Sequence, residues 1–234
     1  MSYKVPLPAL EANLMLSNGL TIPQIQLGTY KIDEIEVFEA TQFALQTGYR
    51  GFDSAQMHGT ESHIGSVINS FLGGPGSSGL ERKEIFYTTK LEFNSTDYDK
   101  VRSSIKKSVE DSGLGYVDLF LLQSPNGGKE ARLTSWKALE DAVKDGEVKS
   151  VGVSNFGVRH IEELMESNPR IKPVVNQIEV HPFNTQKAIR DVCAKHGIVI
   201  QAWAPLAHAS RMDHPKILEL AGKYSASPAQ IFMK

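Results

Sequence analysis

The chain has 234 residues, and the 41% that are hydrophobic are enough for one substantial core. Its 25 Lys and Arg residues nearly balance 27 Asp and Glu residues, and like charges form no block, so the charge pattern indicates neither a nucleic acid nor a membrane surface as a partner. The single cysteine, Cys193, excludes an internal disulfide framework, and no apolar segment is long enough to span a bilayer. These features predict a cytoplasmic globular protein.

The first 23 residues predict an arm and a hairpin, after which strands and helices alternate. Residues 1–12 contain two prolines and no periodicity, as an arm does, whereas 13–23 carry an Asn18-Gly19 turn between short apolar segments. Strands are predicted over 25–30, 49–56, 84–91, 117–123, 148–154, 174–180 and 198–204. Helices are predicted over 33–47, from 60 onward, and over 97–112, 135–145, 160–165, 186–195 and 215–223, with a last one opening at Ser227-Pro228.

Near-continuous apolar strands that alternate with helices indicate parallel βαβ units covered on their outer face. A doubly wound sheet fits the same alternation, but it requires a Gly-rich phosphate turn that Gly28-Thr29-Tyr30 does not provide. The leading hairpin and the motifs described below favour an α/β fold of the (β/α)8 TIM-barrel type, with a single domain over 1–234.

Only seven central strands can be counted, so the eighth strand and a C-terminal segment are expected to be lacking. Either the sequence is a fragment, or the two open sheet edges are covered by the arm or by a second subunit. We favour pairing in a homodimer over the arm.

The stretch from 48 to 61, GYRGFDSAQMHGTE, brings two reactive side chains together. It predicts a buried strand that stops at His58-Gly59 and a helix that begins at Thr60, where apolar residues recur on one helical face. Asp53 lies inside the strand, and His58 lies just past its C-terminal end. In a parallel barrel, reactive side chains gather at the C-terminal ends of the strands, so this stretch is a candidate for the functional site.

This stretch closely resembles the segment of the aldo-keto reductases that is usually written G-[YF]-R-x-[IF]-D-T-A-x-x-Y-x-N-E. Further matches to that family occur in the same order along the chain, at 18–19, 22–23, 27–30, 86–91, 151–156, 176–179 and 202–206. Several spaced matches in order are far more specific than any single one. The resemblance extends from about Leu14 to Lys234 and implies the barrel of that family.

The resemblance implies four catalytic positions, and two of them are changed here. In the family a Tyr phenol protonates the substrate carbonyl while a nicotinamide delivers hydride, a Lys paired with an Asp lowers the pKa of the phenol, and a His orients the substrate. Asp53 and Lys90 match the Asp and the Lys, whereas His58 holds the Tyr position and Gln123 the His position. A leftover buried ion pair is the alternative interpretation of Asp53 and Lys90.

His58 is the more informative replacement. An unperturbed imidazole titrates near pH ~6.5, and a neighbouring Lys90 cation would favour its neutral form. Neutral His donates one hydrogen bond and accepts another, which suits a general base or a donor that polarises a carbonyl. The alternative is an ordinary polar residue in a loop. Gln123 can hydrogen-bond a carbonyl but cannot exchange protons at neutral pH.

The resemblance also implies where a cofactor and a substrate would bind. The implied cofactor residues are Thr29 near the nicotinamide ribose, Ser154, Asn155 and Gln177 at the carboxamide, and Trp203 stacked on the ring. Tyr30 and Phe93 would shape the substrate pocket. The family holds the 2′-phosphate of NADPH with a Lys-Ser…Arg…Asn segment after strand eight that this sequence does not contain, so NADPH binding is expected to be weakened or lost. Plain core packing is the alternative role of Gln177 and Trp203, and no metal site is predicted.

Three functional hypotheses follow for a small-molecule substrate. The first is a reductase-derived enzyme that needs no cofactor and uses this site for non-redox acid–base chemistry, such as isomerisation, dehydration or cyclisation of a carbonyl-containing metabolite. The second is a weak NADPH-dependent carbonyl reductase in which His58 replaces the Tyr acid. The third is a non-catalytic binding protein. The hypotheses are ranked in this order because the sequence differs from the family in three features. The Tyr acid and the orienting His are replaced, and the segment that binds the 2′-phosphate is missing.

Overall fold

The computed structural model describes residues 10, 12–77 and 79–233, so residues 1–9 and 11 of the predicted arm lie outside the described residues. The strands are β1 (Asn13–Met15), β2 (Thr21–Pro23), β3 (Leu27–Gly28), β4 (Gly51–Asp53), β5 (Phe86–Leu91), β6 (Val117–Leu122), β7 (Val148–Ser154), β8 (Val175–Glu179) and β9 (Val199–Trp203). The helices are α1 (Glu34–Gln46), α2 (Glu61–Leu72), α3 (Tyr98–Ser112), α4 (Gly128–Lys144), α5 (Val158–Glu166), α6 (Lys187–Lys195), α7 (Pro215–Tyr224) and α8 (Pro228–Phe232).

Strands β3 to β9 form one parallel sheet in the order of the sequence, nearly closed into a barrel. Strand β6 shows why its sequence is apolar throughout. Leu119 and Leu121 pack in a cluster that fills the barrel, whereas Phe120 and Leu122 belong to the core between the sheet and the helices. In the part of the chain that is described, β3 and β9 are the outer strands, and each pairs on one side. The predicted barrel with seven central strands is confirmed.

The hairpin of β1 and β2 lies at the N-terminal end of the barrel. Its apolar residues Leu16 and Ile22 are buried in the same cluster as Leu119 and Leu121. Asn18, in the hairpin turn, donates from Nδ2 to Ser150 Oγ of β7 at 2.9 Å. Because the hairpin occupies this end, the opposite end, where the strands reach their C-termini, is the one left for a site.

Helices α2 and α3 approach each other closely at Gly65. A Cβ atom at this position would collide with the backbone carbonyl oxygen of Ser112, at the end of α3. Glycine is therefore required by the contact, although it lowers the intrinsic helix propensity of α2. This contact fixes both helices on the outer side of β4 and β5. No helix among the described residues combines the length and the apolar composition that crossing a bilayer requires.

Several predicted boundaries were wrong. The predicted strand over 49–56 is limited to Gly51–Asp53, and Gln56–His58 forms a 3₁₀ turn. His58 therefore ends a separate turn instead of lying just past the end of the strand. Helix α4 begins at Gly128, seven residues before the predicted start at 135. The prediction missed this start because the first turn of the helix is polar and follows Gly127. By contrast, the predicted cap is confirmed, since Ser227 caps α8 ahead of Pro228. Asp33, predicted to lie near the start of its helix, is the N-cap of α1 and accepts from two of its backbone N–H groups.

Candidate active site

The residues predicted for the site converge at the C-terminal ends of the parallel strands. Thr29 follows β3, Asp53 ends β4, Lys90 lies near the end of β5, Gln123 follows β6, Ser154 ends β7, Gln177 lies within β8, and Trp203 ends β9. Parallel pairing in sequence order brings these strand ends to one edge of the barrel. The site is therefore assembled from residues far apart in the sequence.

A buried ion pair joins β4 to β5 at the centre of the site. Lys90 Nζ donates to Asp53 Oδ1 at 2.5 Å and to the carbonyl oxygen of Ser54 at 2.7 Å, and the two side chains are 3% and 14% exposed. Gln177 Nε2 donates to the other carboxylate oxygen at 2.7 Å and to Gln201 Oε1 at 2.8 Å. The charges are thus paired and hydrogen-bonded, as buried charges must be. The sequence prediction missed Gln201, although a polar residue within the apolar strand β9 was an available signal.

His58 lies beside this ion pair in the 3₁₀ turn and packs against Tyr30, with 5.1 Å between the ring centroids. Its pKa is lowered from 6.5 to about 4, first by burial and then by the Lys90 cation, while the Asp53 carboxylate opposes the shift. The ring is therefore neutral at pH 7. The expected influence of Lys90 has the predicted direction, but burial has the larger effect. The Nδ1 atom is buried, and in the part of the chain that the structure describes it has no hydrogen-bond partner.

A chain of hydroxyl groups connects the His58 turn to its neighbours. Thr60 Oγ1 lies 2.9 Å from Thr29 Oγ1 and 2.9 Å from Ser54 Oγ. Thr29 Oγ1 also donates to the carbonyl oxygen of Asp53 at 3.1 Å. Thr29, predicted as a cofactor contact, is fully buried and holds the residues that follow β3 and β4 together.

A second network lies on the β6, β7 and β9 side of the site. Asn155 Nδ2 donates to the carbonyl oxygen of Gln123 at 3.0 Å, and Asn155 Oδ1 accepts from Trp203 Nε1 at 3.0 Å. Ser154 Oγ donates to the carbonyl oxygen of Gln177 at 2.9 Å. Gln123 Oε1 is buried and, like His58 Nδ1, has no hydrogen-bond partner among the described residues. Both atoms belong to residues that the sequence predicts to be catalytic.

The two residues predicted to shape the substrate pocket are largely exposed. Tyr30 is 55% exposed and touches His58, whereas Phe93 is 74% exposed. Their role in binding a substrate stays a prediction.

The residues present fit the nicotinamide end of a dinucleotide. The exposed amide of Asn155 lies beside the half-buried indole of Trp203, and both of its N–H groups are donated to Gln123 and Ser154. Its Oδ1 accepts from Trp203 and keeps a second lone pair, which can accept from the N–H of a carboxamide. A metal ion has no such set of ligands, because in the described part of the chain His, Cys, Asp and Glu side chains form no group of three suited to one. His181 Nε2 lies 3.3 Å from Glu179 Oε1, and this single pair falls short of a metal-binding set.

Comparison with known proteins agrees with this geometry. The sequence profile of the aldo/keto reductase family matches residues 24–216. The chain is 44% identical over 219 residues to an uncharacterized oxidoreductase of Schizosaccharomyces pombe, covering 94% of this chain and 77% of that protein. It is 36% identical over 227 residues to a glyoxal reductase of Bacillus subtilis, covering 97% and 79%.

A crystal structure of an aldo/keto reductase from Brucella melitensis superposes with a TM-score of 0.85 at 35% identity, covering 95% of this chain and 82% of that one. The profile, the sequence relatives and the solved structure agree with one another and with the barrel. The chain therefore belongs to the aldo/keto reductase family.

Proposed function

We propose that this protein is an NADPH-dependent reductase of small, electrophilic carbonyl compounds. The observation that carries the proposal is the buried Asp53–Lys90 pair beside a neutral His58, within a chain of this family. The relatives described above are oxidoreductases, and they give no support to the non-redox function that we ranked first from the sequence. Members of the family use a nicotinamide cofactor, so NADPH is the cofactor we propose.

The chemistry assigned to His58 follows from its neutral state. When bound, NADPH supplies a hydride to the carbonyl carbon. A neutral imidazole N–H of His58 then hydrogen-bonds the carbonyl oxygen and stabilises the negative charge that develops there. Gln123 Oε1 is a free acceptor that would orient a substrate hydroxyl or hydrate. The proton that completes the alcohol passes through His58 from solvent.

This mechanism limits the substrates. At pH 7 a group with a pKa of about 4 is protonated in roughly one molecule in a thousand, so His58 is a poor proton donor compared with a tuned phenol. Carbonyl groups that are already electron-poor, such as α-dicarbonyl compounds, depend least on a strong acid. The name of one relative, glyoxal reductase, is in keeping with this class.

The test is NADPH oxidation, followed by absorbance, with an α-dicarbonyl compound and with an unactivated aliphatic aldehyde. We expect measurable turnover of the dicarbonyl and slower turnover of the aldehyde. Lys90→Met should lower kcat about a hundredfold, because it removes the cation beside His58 and leaves the Asp53 carboxylate to oppose the negative charge that develops on the carbonyl oxygen. Lys107→Met is the matched control, because it removes an exposed Lys–Asp ion pair with the same N–O distance of 2.5 Å. Activity that is unchanged in Lys90→Met would refute the assignment.

Non-redox acid–base chemistry is a second candidate, favoured by the neutral His58 ring with its unpartnered Nδ1 atom, which suits a general base. The two proposals differ in one measurement. The second candidate is supported over the first if the unaltered protein isomerises or dehydrates a carbonyl substrate without NADPH and the His58→Gln variant does not. A non-catalytic role predicts that neither assay gives turnover.

We also propose that a second copy of the chain covers the open side of the barrel. Strands β3 and β9 pair on one side only within the described residues, and the neighbouring helix α1 exposes Ile35, Phe38 and Phe43. Strand β9 carries no proline or charged residue that would prevent edge pairing. Analytical ultracentrifugation should give a dimer, and Phe43→Glu should shift it toward monomer. A monomer at all concentrations tested would contradict the proposal.

A further inference from the structure

The side chain of Gln56 ties the His58 turn to α3 and to the end of β5. Its Nε2 donates to the carbonyl oxygen of Ser104 (3.1 Å), to Ser104 Oγ (2.9 Å) and to Ser108 Oγ (2.9 Å). Its Oε1 accepts from the backbone N–H of Glu92 at 2.9 Å. Gln56 is the first residue of the 3₁₀ turn that carries His58, so this amide fixes the turn at its start.

Ser108 also holds the other side of the turn. Its Oγ donates to Glu61 Oε2 at 3.3 Å, and Glu61 Oε1 accepts from Thr89 Oγ1 at 2.5 Å. Glu61 is the first residue of α2, three residues after His58. Both ends of the segment 56–61 therefore meet one buried hydroxyl group on α3. We call these hydrogen bonds of Gln56 and Ser108 the clamp. A cleft of about 370 Å³ borders Gln56, Glu61 and Ser108.

We propose that Gln56 and Ser108 are positioning residues that hold His58 in place beside Lys90. They touch neither the reacting groups nor the ion pair, and they act by fixing the two ends of the turn. The groups that face His58 from the packed elements are Lys90 on β5, Asp53 on β4 and Tyr30 after β3. If the clamp is released, the imidazole moves toward water and away from both Lys90 and Asp53. Its pKa rises, because burial and the Lys90 cation, which lower it, both have larger effects than the Asp53 carboxylate, which raises it.

The state of His58 can be read directly by NMR. The full chain, labelled in its histidine rings, is titrated between about pH 5 and 8, and the His58 signal is assigned with His58→Gln. In the unaltered protein this signal should not titrate above about pH 5. In Gln56→Met and in Ser108→Ala its pKa should rise by about one unit or more, into the titrated range.

Asn69→Leu is the matched control. Asn69 Nδ2 donates to the carbonyl oxygen of Gly113 at 3.0 Å and so also links α2 to the end of α3, but it does not hold the turn. The Asn69→Leu variant should leave the titration of His58 unchanged. The proposal is overturned if His58 behaves as in the unaltered protein in both clamp variants, or if Asn69→Leu moves it equally. Ser108→Ala removes a single hydroxyl, so it gives an answer even if Gln56→Met does not fold.

The effect on catalysis rests on the proposed function. With the dicarbonyl assay, Gln56→Met should lower kcat about tenfold while the Kd for NADPH changes less than about twofold, because only the group facing the carbonyl is displaced. An equal loss in kcat for Asn69→Leu would contradict a positioning role. If the unaltered protein has no reductase activity, the proposed function fails, and the NMR titration still decides whether the clamp positions His58.

Discussion

The Asp53–Lys90 pair allows the clearest test of the site, through Lys90→Met. This change removes the cation and leaves the Asp53 carboxylate, which is only 14% exposed, without its main partner. Removing one member of a buried pair typically costs about 3–5 kcal/mol of unfolding free energy. Asp53 keeps the hydrogen bond from Gln177 at 2.7 Å, so we expect a cost near the lower limit, about 3 kcal/mol.

Urea unfolding followed by circular dichroism measures this cost, and a double-mutant cycle isolates the pair. Asp53→Asn combined with Lys90→Met should cost less than Lys90→Met alone, because no unpaired charge stays buried. Lys107→Met is the control. Lys107 Nζ lies 2.5 Å from Asp111 Oδ2, but these side chains are 72% and 39% exposed, so its removal should cause no measurable loss of stability. Equal losses for the two lysines would refute the role given to burial.

Three further predictions follow from the same structure. His58→Tyr places a phenol beside Lys90 and should raise kcat for the unactivated aldehyde at least about tenfold in the NADPH assay. If kcat does not rise, weak proton donation by His58 is not what limits turnover of this substrate. The pKa of His58 is lowered from 6.5 to about 4 in the folded state, so between these pH values the unfolded chain binds more protons, and stability is lost as the pH falls from 6.5 to 4. Urea titrations should show a loss of about 1–2 kcal/mol, after allowance for solvent screening. This loss should be absent from His58→Gln. Gly65→Ala should cost about 2–3 kcal/mol in the same unfolding assay because its Cβ meets the Ser112 carbonyl oxygen, whereas Gly222→Ala, with open space around it, should be neutral or stabilising.

Local patterns in the sequence were sufficient for most of the elements. Strand β6 is apolar on both faces because Leu119 and Leu121 fill the barrel while Phe120 and Leu122 pack under helices, and such a strand is recognisable without a structure. The cap at Ser227 was recognisable because a cap is a contact between residues two or three apart. The start of α4 was not, because its polar first turn after Gly127 has no apolar period.

The family motifs also placed Asp53, His58, Lys90 and Gln123 at one end of a barrel before any contact was known. Which atoms they use depends on contacts between distant residues. The bond from Gln177 to Asp53 joins residues 124 positions apart, and no local pattern encodes it.

The sequence by itself determined the order of strands and helices and the chemical types at the site, because these depend on neighbouring residues and on spaced motifs. Only the tertiary structure decided the state of His58. Burial is the largest cause of its lowered pKa, and burial follows from the turn at Gln56–His58 being held against α3 and the strand ends. The sequence predicted a strand up to Gln56 instead of this turn. The turn could not be predicted because solvent exclusion and hydrogen bonds to distant helices leave no periodic signal along the chain.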